Sequence, residues 1–181
     1  RHFAMRWVGM YGFNDTFGIA VRREIAEQYD LHTYSDLRRV APQLVFGAEY
    51  DFFERADGYP ALCKAYGLDF GRTVDLDIGL KYQALANKQI DVMIVFTTDG
   101  QLAAADARVL TDDRNFFPSY RCGNVVRAEV LERHPELVPV LEKLTDSITD
   151  EEMAAMNYAV ESEGKEPHAV AEEFLRGKGI V

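Results

Sequence analysis

Residues Thr73–Phe96, TVDLDIGLKYQALANKQIDVMIVF, combine two strand-like segments with a helix-like segment between them. Thr73–Ile78 alternates its two aspartates, Asp75 and Asp77, with apolar residues, which is typical of a strand. Lys81–Lys88 has the composition of a short helix, and Asp91–Phe96 is an apolar run with the length of a buried strand. This order predicts two strands joined by a helical crossover.

The same alternation extends outward on both sides. Further strands are predicted at Thr16–Arg22, Leu44–Phe46 and Arg108–Leu110, with helices at Arg23–Tyr29, after the Thr33–Asp36 capping box and between Gly58 and Gly67. The pattern predicts an α/β fold with a mainly parallel sheet covered on both faces. Ligands of such sheets bind beyond the carboxyl ends of the strands, here after Phe46, Ile78 and Phe96.

The second half of the chain has a different character. Ser119–Val126 is compatible with one more strand, and the remainder predicts helices at Ala128–Arg133, Pro135–Leu144, Thr149–Ser162 and Pro167–Gly177. Thr149 and Glu152 have capping-box spacing. The Thr149–Ser162 segment predicts an amphipathic helix that faces the core, and the three C-terminal helices are interpreted as structural, with no chemistry of their own.

Composition excludes several functional classes. The 181 residues include 30 acidic and 20 basic side chains, for a net charge of −10. This balance argues against nucleic acid as a partner, because phosphate binding needs clustered Lys and Arg. With 48% apolar residues the chain can bury a core. Cys63 and Cys122 have no zinc spacing and are predicted to be buried apolar residues.

No enzyme signature is present in the sequence. The histidines His2, His32, His134 and His168 have no metal-ligand spacing, and neither a P-loop nor a G-x-S-x-G motif occurs. Asp75 and Asp77 would share one face of a strand, where a solvated or capping role is favoured over a metal site. We therefore expect a chain that is not an enzyme and that uses no metal or cofactor.

Aromatic residues near predicted strand ends suggest a different kind of site. Ring faces bind quaternary ammonium groups, and an arginine beside them can bind a carboxylate with two hydrogen bonds. Arg55 lies in such a segment, FFERADGYP. Each ring is also a candidate for the core, and Arg55 could equally pair with Glu54 or Asp57. Pattern alone leaves both alternatives open.

Several motifs in matching order resemble a known family. They are GFNDTFGIAV, FFERADGYPALCKAYGL, DIGLKYQALANKQIDVMIVFTTDGQL, VLTDDRNFFPSY and ITDEEMAAMNYAVESEGKEPHAVAEEFLRGKG. From about Trp7 to Val181 the chain resembles the substrate-binding proteins of ABC importers for glycine betaine, choline, carnitine and related quaternary amines. This branch includes ergothioneine-binding domains fused to permeases. The resemblance implies a type II periplasmic-binding-protein fold that closes on its ligand by a hinge.

The resemblance also implies the residues of the binding site. Arg55 would bind the ligand carboxylate, and the remaining implied ligand contacts are Asp15, Thr16, Phe17, Phe96, Thr97 and Tyr120. Phe17 and Phe96 stand where the family has tyrosines, and Asp15 stands where an Asn is usual. A phenylalanine keeps the π face and loses the phenol hydrogen bond, so the site would keep its cation and differ in its polar contacts.

The family's proteins are longer than this chain. The resemblance implies that residues 17–115 form lobe 2, whereas 1–16 and 116–181 form part of lobe 1. Because the chain begins with Arg1 and not Met, we expect its natural start to lie upstream, or a partner chain to complete lobe 1. The sequence contains neither a signal-peptide pattern nor the roughly 20 consecutive apolar residues that span a bilayer.

The predicted function is extracytoplasmic capture of a quaternary-ammonium compound for an ABC importer. The expected partners are the small ligand and the permease and ATPase subunits. The alternative is a ligand-sensing module with the same fold and no role in transport.

Overall fold

A computed structural model describes residues 4–181, so that Arg1 and His2 lie outside the described residues. The chain forms two compact units, here named the sheet unit and the helical unit. The sheet unit comprises Phe17–Phe96 and Ala104–Pro118. The helical unit comprises the described residues up to Thr16, together with Thr97–Ala103 and Ser119–Val181. The units differ from the predicted lobes at Thr97–Ala103 and at residues 116–118, which fall on the opposite side of the division.

The elements follow the predicted alternation of strands and helices. The strands are β1 Met5–Asn14, β2 Phe17–Arg22, β3 Val45–Ala48, β4 Arg72–Asp75, β5 Val92–Phe96, β6 Ala107–Val109 and β7 Arg121–Arg127. The helices are α1 Arg23–Gln28, α2 Tyr34–Leu37, α3 Tyr50–Glu54, α4 Tyr59–Tyr66, α5 Lys81–Ala86, α6 Ala128–Arg133, α7 Leu137–Glu142, α8 Asp150–Glu161 and α9 Pro167–Gly177. Within residues 4–181, no helix combines the length and apolarity that a membrane span requires.

The sheet unit is built on one five-stranded sheet in the order β4–β3–β5–β2–β6. Strand β3 pairs in parallel with β4 and β5, whereas β2 pairs antiparallel with β5 and β6. The prediction of a mainly parallel sheet is therefore wrong, and the sheet is mixed. An apolar run indicates a strand buried on both faces but not its direction, so the pattern could not separate the two pairings.

The core of the sheet unit lies on the faces of its central strands. Alternating residues Ile19 and Val21 of β2, and Val92 and Ile94 of β5, are at most 1% exposed, as is Phe46 of β3. The α2 helix begins at the predicted capping box, in which the Thr33 side chain accepts from the Asp36 N–H and the Asp36 carboxylate accepts from the Thr33 N–H. Strands β2, β3 and β5 and helix α2 therefore contribute their apolar side chains to one core.

The helical unit contains a two-stranded antiparallel sheet of β1 and β7. No element was predicted where β1 lies. The strand carries Gly9 and Gly12 with φ of 67° and 115°, a region that favours glycine, and its register with β7 shifts beside them. These irregularities break the two-residue periodicity by which a strand is recognised from sequence.

The helices of the helical unit carry little buried surface. The predicted capping box of Thr149 and Glu152 opens α8. No residue of α7, α8 or α9 is buried, and Leu131 is the buried residue of α6. The prediction of a core-facing helix at Thr149–Ser162 is thus wrong, because no residue of α8 is buried.

Candidate functional site

The predicted site residues are distributed over both units. Phe17, Arg55 and Phe96 belong to the sheet unit, and Asp15, Thr16, Thr97 and Tyr120 belong to the helical unit. The chain passes between the units after Thr16, Phe96, Ala103 and Pro118, and four of the predicted residues, Thr16, Phe17, Phe96 and Thr97, flank the first two crossings.

Phe17 is the centre of an aromatic cluster in the sheet unit. Its ring centroid lies 4.8 Å from that of Phe96 and 5.4 Å from those of Phe52 and Phe117. Phe17 and Phe96 are opposite each other in the β2–β5 ladder, which fixes the separation of their side chains. Phe52 is 1% exposed and is a core residue, whereas Phe17 and Phe117 are partly buried against that core.

Arg55 lies directly after α3 and joins this cluster. Its Cζ atom is 5.4 Å from the centroid of the Phe17 ring, within the range of a cation–π interaction. Its Nε and Nη2 atoms donate to the two carboxylate oxygens of Asp57 at 2.9 and 2.8 Å. Of the two acidic neighbours considered from the sequence, Asp57 is thus an actual partner. The same two-pronged geometry is the one that a ligand carboxylate would use.

A buried ion pair lies beside Phe96 and was missed by sequence reasoning. The Lys81 ammonium donates to the Glu49 carboxylate at 2.9 Å, and the two side chains are 1% and 16% exposed. The Lys81 Nζ atom is also 5.3 Å from the centroid of the Phe96 ring. Lysine at a helix start is ordinarily solvated, so only the apolar residues around it in the sequence could have indicated its burial.

The predicted polar residues of the helical unit hold three segments of backbone together. The Asp15 N–H donates to the Tyr120 carbonyl at 3.2 Å, and the Asp15 carboxylate accepts from the Thr98 hydroxyl at 2.6 Å. The Thr97 hydroxyl donates to the Asn14 carbonyl at 2.8 Å and accepts from the Thr16 N–H at 3.1 Å. These bonds give Asp15, Thr16 and Thr97 structural roles, and their contact with a ligand stays a prediction.

Asn14 also orients Tyr120 and was not singled out from the sequence. Its side-chain oxygen accepts from the Tyr120 N–H at 2.6 Å and from the Ser119 hydroxyl at 3.3 Å. Asn14 and Tyr120 are 106 positions apart, so local sequence could not have identified this bond.

The acidic segment around Asp75 and Asp77 forms part of a cavity in the sheet unit. The cavity has a volume of about 650 Å³ and is lined by Glu49, Tyr50, Asp51 and the segment from Asp75 to Ile78. Because β4 ends at Asp75, the two aspartates do not share a strand face as predicted. Across residues 4–181, no group of three or more His, Cys, Asp or Glu side chains is arranged to hold a metal ion.

The two cysteines are free thiols, and each is only partly buried, so the prediction that they are buried is wrong. Cys63 packs against the edge of the core beside Tyr59. Burial raises the pKa of the Cys63 thiol above its ordinary value. A thiol of raised pKa is a poor nucleophile, which fits a packing role for this residue.

Comparison with known proteins bears on the whole chain. A family profile described as "Substrate binding domain of ABC-type glycine betaine transport system" matches residues 1–177. The ergothioneine transport permease/ergothioneine binding protein EgtU of Helicobacter pylori is 42% identical over 99% of this chain and 32% of its own length. The carnitine transport binding protein OpuCC of Listeria monocytogenes is 40% identical over 96% of this chain and 57% of its own length.

Solved structures extend the likeness to the fold. A crystal structure described as a glycine betaine/carnitine/choline ABC transporter has a TM-score of 0.85 and 40% identity, and the match covers 99% of this chain and 66% of that one. Apo YehZ from Escherichia coli has a TM-score of 0.72 and 29% identity, with 99% and 68% covered. The chain spans less than two thirds of the length of the two named relatives.

These findings confirm the resemblance inferred from the motifs and the type II periplasmic-binding-protein fold, of which the chain has a part. They also agree with the expectation that the chain is not an enzyme, because the family consists of binding domains. The profile match over residues 1–177 shows that the chain belongs to the family of substrate-binding domains of ABC-type glycine betaine transport systems.

Proposed function

We propose that this chain binds a quaternary-ammonium compound outside the cytoplasm for delivery to the permease and ATPase subunits of an ABC importer. The observation that carries the proposal is the Phe17–Phe96 ring pair with the Arg55 guanidinium 5.4 Å from the Phe17 centroid. Family membership supports transport, and the name of the Helicobacter pylori relative couples a binding protein to a permease. No observation favours the sensing alternative.

The chemistry of the ring pair fits a quaternary ammonium group. Such a cation has no hydrogen-bond donor, so the negative faces of Phe17 and Phe96 are its natural partners. Arg55 would bind the carboxylate of a zwitterionic ligand with paired hydrogen bonds. We further propose that the sheet unit is lobe 2 of the family fold and that the helical unit is part of lobe 1.

Four compounds named for the relatives are the candidates: glycine betaine, carnitine, choline and ergothioneine. Choline lacks a carboxylate, whereas the other three carry one. We therefore expect Arg55→Ala to weaken binding of glycine betaine by about ten-fold or more, since hydrogen bonds to charged groups contribute about 1.5–3 kcal/mol. Choline binding should change far less. Titration calorimetry on the full-length gene product measures both.

The control for this experiment is Arg39→Ala, since Arg39 is an arginine of the same unit whose side chain bonds to the Tyr29 carbonyl and has no predicted ligand role. This variant should bind all four compounds as the wild type does. Equal losses for glycine betaine and choline in Arg55→Ala would contradict the carboxylate role. Absence of binding for all four compounds in the wild-type protein would contradict the proposed function itself.

An exposed apolar strip on the helical unit bears on the proposed partner chain. Met5 and Trp7 of β1 and Val125 of β7 are 48%, 62% and 50% exposed, and Trp7 is directly opposite Val125 in the ladder. Residues two apart on a strand share a face, so the three side chains form one continuous strip. We propose that polypeptide outside residues 1–181, on the same gene product or on a partner chain, covers this strip.

Trp7 is the one tryptophan of the sequence and reports on this cover. In the full-length gene product, the fluorescence of Trp7 is the difference between the wild-type and Trp7→Phe spectra. This fluorescence should be blue-shifted and protected from quenching by acrylamide, because a covered indole is shielded from water. The isolated 181-residue chain should instead show a red-shifted, readily quenched tryptophan. Quenching of Trp7 to the same extent in both samples would contradict the proposed cover.

A further inference from the structure

We propose that Asp57 determines which quaternary amines the site accepts, by acting as an internal carboxylate for Arg55. The inference rests on the proposed function and goes beyond it, since it concerns selection among ligands. When a ligand has no carboxylate, Asp57 neutralises the guanidinium. When a ligand has one, that group takes the place of Asp57.

The turn that follows α3 holds Asp57 in position. The Gly58 N–H donates to the Arg55 carbonyl at 3.0 Å, which closes a tight turn over Arg55–Gly58. A Cβ atom at Gly58 would lie 2.0 Å from the Phe52 carbonyl oxygen, so the close approach requires glycine. The turn therefore keeps the Asp57 carboxylate against the Nε edge of Arg55, with contacts at 2.9 and 2.8 Å.

The charges of Arg55 and Asp57 affect how strongly a ligand cation binds. The Arg55 Cζ atom is 5.4 Å from the centroid of the Phe17 ring, so the positive charge of the guanidinium would repel a ligand cation bound to the same ring cluster. The negative charge of the Asp57 carboxylate, which is bonded to the guanidinium, reduces that repulsion. A zwitterionic ligand could supply its own carboxylate for the same purpose, whereas choline could not.

Because Arg55 and Asp57 are both exposed to water, a ligand carboxylate can replace the Asp57 carboxylate. The side chains of Arg55 and Asp57 are 39% and 54% exposed, in contrast to the 1% of Lys81 in its ion pair with Glu49. An ion pair that is open to water contributes little to stability and can be replaced by another carboxylate at small cost. A buried pair would instead be a fixed part of the structure.

A competing role for Asp57 predicts the opposite result. If Asp57 served only to orient Arg55 toward a ligand carboxylate, its loss would weaken zwitterionic ligands most. If it acts as an internal carboxylate, its loss weakens choline and leaves glycine betaine unchanged or bound more tightly. The ratio of the choline and glycine betaine affinities therefore distinguishes the two roles.

The test is titration calorimetry of choline and glycine betaine with the full-length gene product and its Asp57→Asn variant. We expect Asp57→Asn to shift the ratio of the two dissociation constants by about two- to five-fold against choline, the size that an exposed ion pair supports. Glu54→Gln is the matched control, because it removes the same charge from an exposed neighbour in the same segment. It should leave the ratio unchanged.

A double-mutant cycle completes the test. In an Arg55→Gln background there is no guanidinium to neutralise, so adding Asp57→Asn should no longer move the ratio. A shift that persists in that background would overturn the inference, as would an Asp57→Asn variant in which glycine betaine loses as much affinity as choline or more. If the wild-type protein binds neither compound, the proposed function fails. If it binds them and the ratio does not shift, only the inference fails.

Discussion

Replacing Glu49 with alanine is expected to lower the free energy of unfolding by about 3–5 kcal/mol, the cost of breaking a buried ion pair from one side. The Lys81 ammonium lies 2.9 Å from the Glu49 carboxylate, and the lysine side chain is 1% exposed. The variant removes the carboxylate and leaves the ammonium within the protein. Urea denaturation followed by circular dichroism gives the free energy of unfolding by linear extrapolation.

Two further variants make this result specific. Asp106→Ala breaks the Arg23–Asp106 pair of the same unit, which has a 2.8 Å contact but side chains 48% and 83% exposed, and should cost less than about 1 kcal/mol. The double replacement Lys81→Met with Glu49→Leu should recover most of the stability lost in Glu49→Ala, because it removes both charges of the pair. If Glu49→Ala lowered the free energy of unfolding no more than Asp106→Ala does, burial would not make the Lys81–Glu49 pair important for stability.

The Glu49 result also bears on the site. The Lys81 ammonium lies 5.3 Å from the centroid of the Phe96 ring, so Glu49 balances a positive charge beside a ring that we propose to bind a cation. The pair therefore links the stability of the sheet unit to the electrostatics of its aromatic cluster.

The sequence predicted most elements of the sheet unit because buried strands and helices place apolar residues in runs or at regular spacings. The apolar run of β5 and the segment that forms α5 both lie within their predicted bounds. Strand direction does not change this apolar pattern, since a buried strand is apolar whether its neighbours run parallel or antiparallel. The antiparallel pairing of β2 with β5 depends on where the chain enters and leaves the sheet unit, at Phe17 and Phe96.

The candidate site shows the same division between local and non-local information. The resemblance to the family selected Phe17, Phe96 and Arg55, and the structure brings these three into one cluster. Which acidic neighbour Arg55 binds depends on the turn closed at Gly58, and residue spacing could not decide it. Lys81 and Glu49 are 32 positions apart, so only the folded sheet unit reveals their pairing.

The largest effect on binding is expected for Phe17→Leu, which should weaken both choline and glycine betaine by about 30-fold. Phe17 is the ring that contacts Phe96, Phe52 and Phe117. Leucine retains much of the apolar contact but has no π face, and a desolvated cation–π interaction is worth about 2 kcal/mol, or about 30-fold in affinity. Titration calorimetry on the full-length gene product measures the loss for each compound.

Matched variants separate the π face from simple packing. Phe17→Tyr keeps the ring and should bind both compounds nearly as well as the wild type. Phe116→Leu makes the same change in a partly buried ring of the same unit, 4.9 Å from the Phe117 centroid and outside the predicted site, and should leave affinity unchanged. Because a swap of similar volume usually costs under about 1.5 kcal/mol of stability, both leucine variants should stay folded. If Phe17→Leu bound choline as the wild type does, or Phe116→Leu lost as much affinity, the cation would not be held by the Phe17 ring.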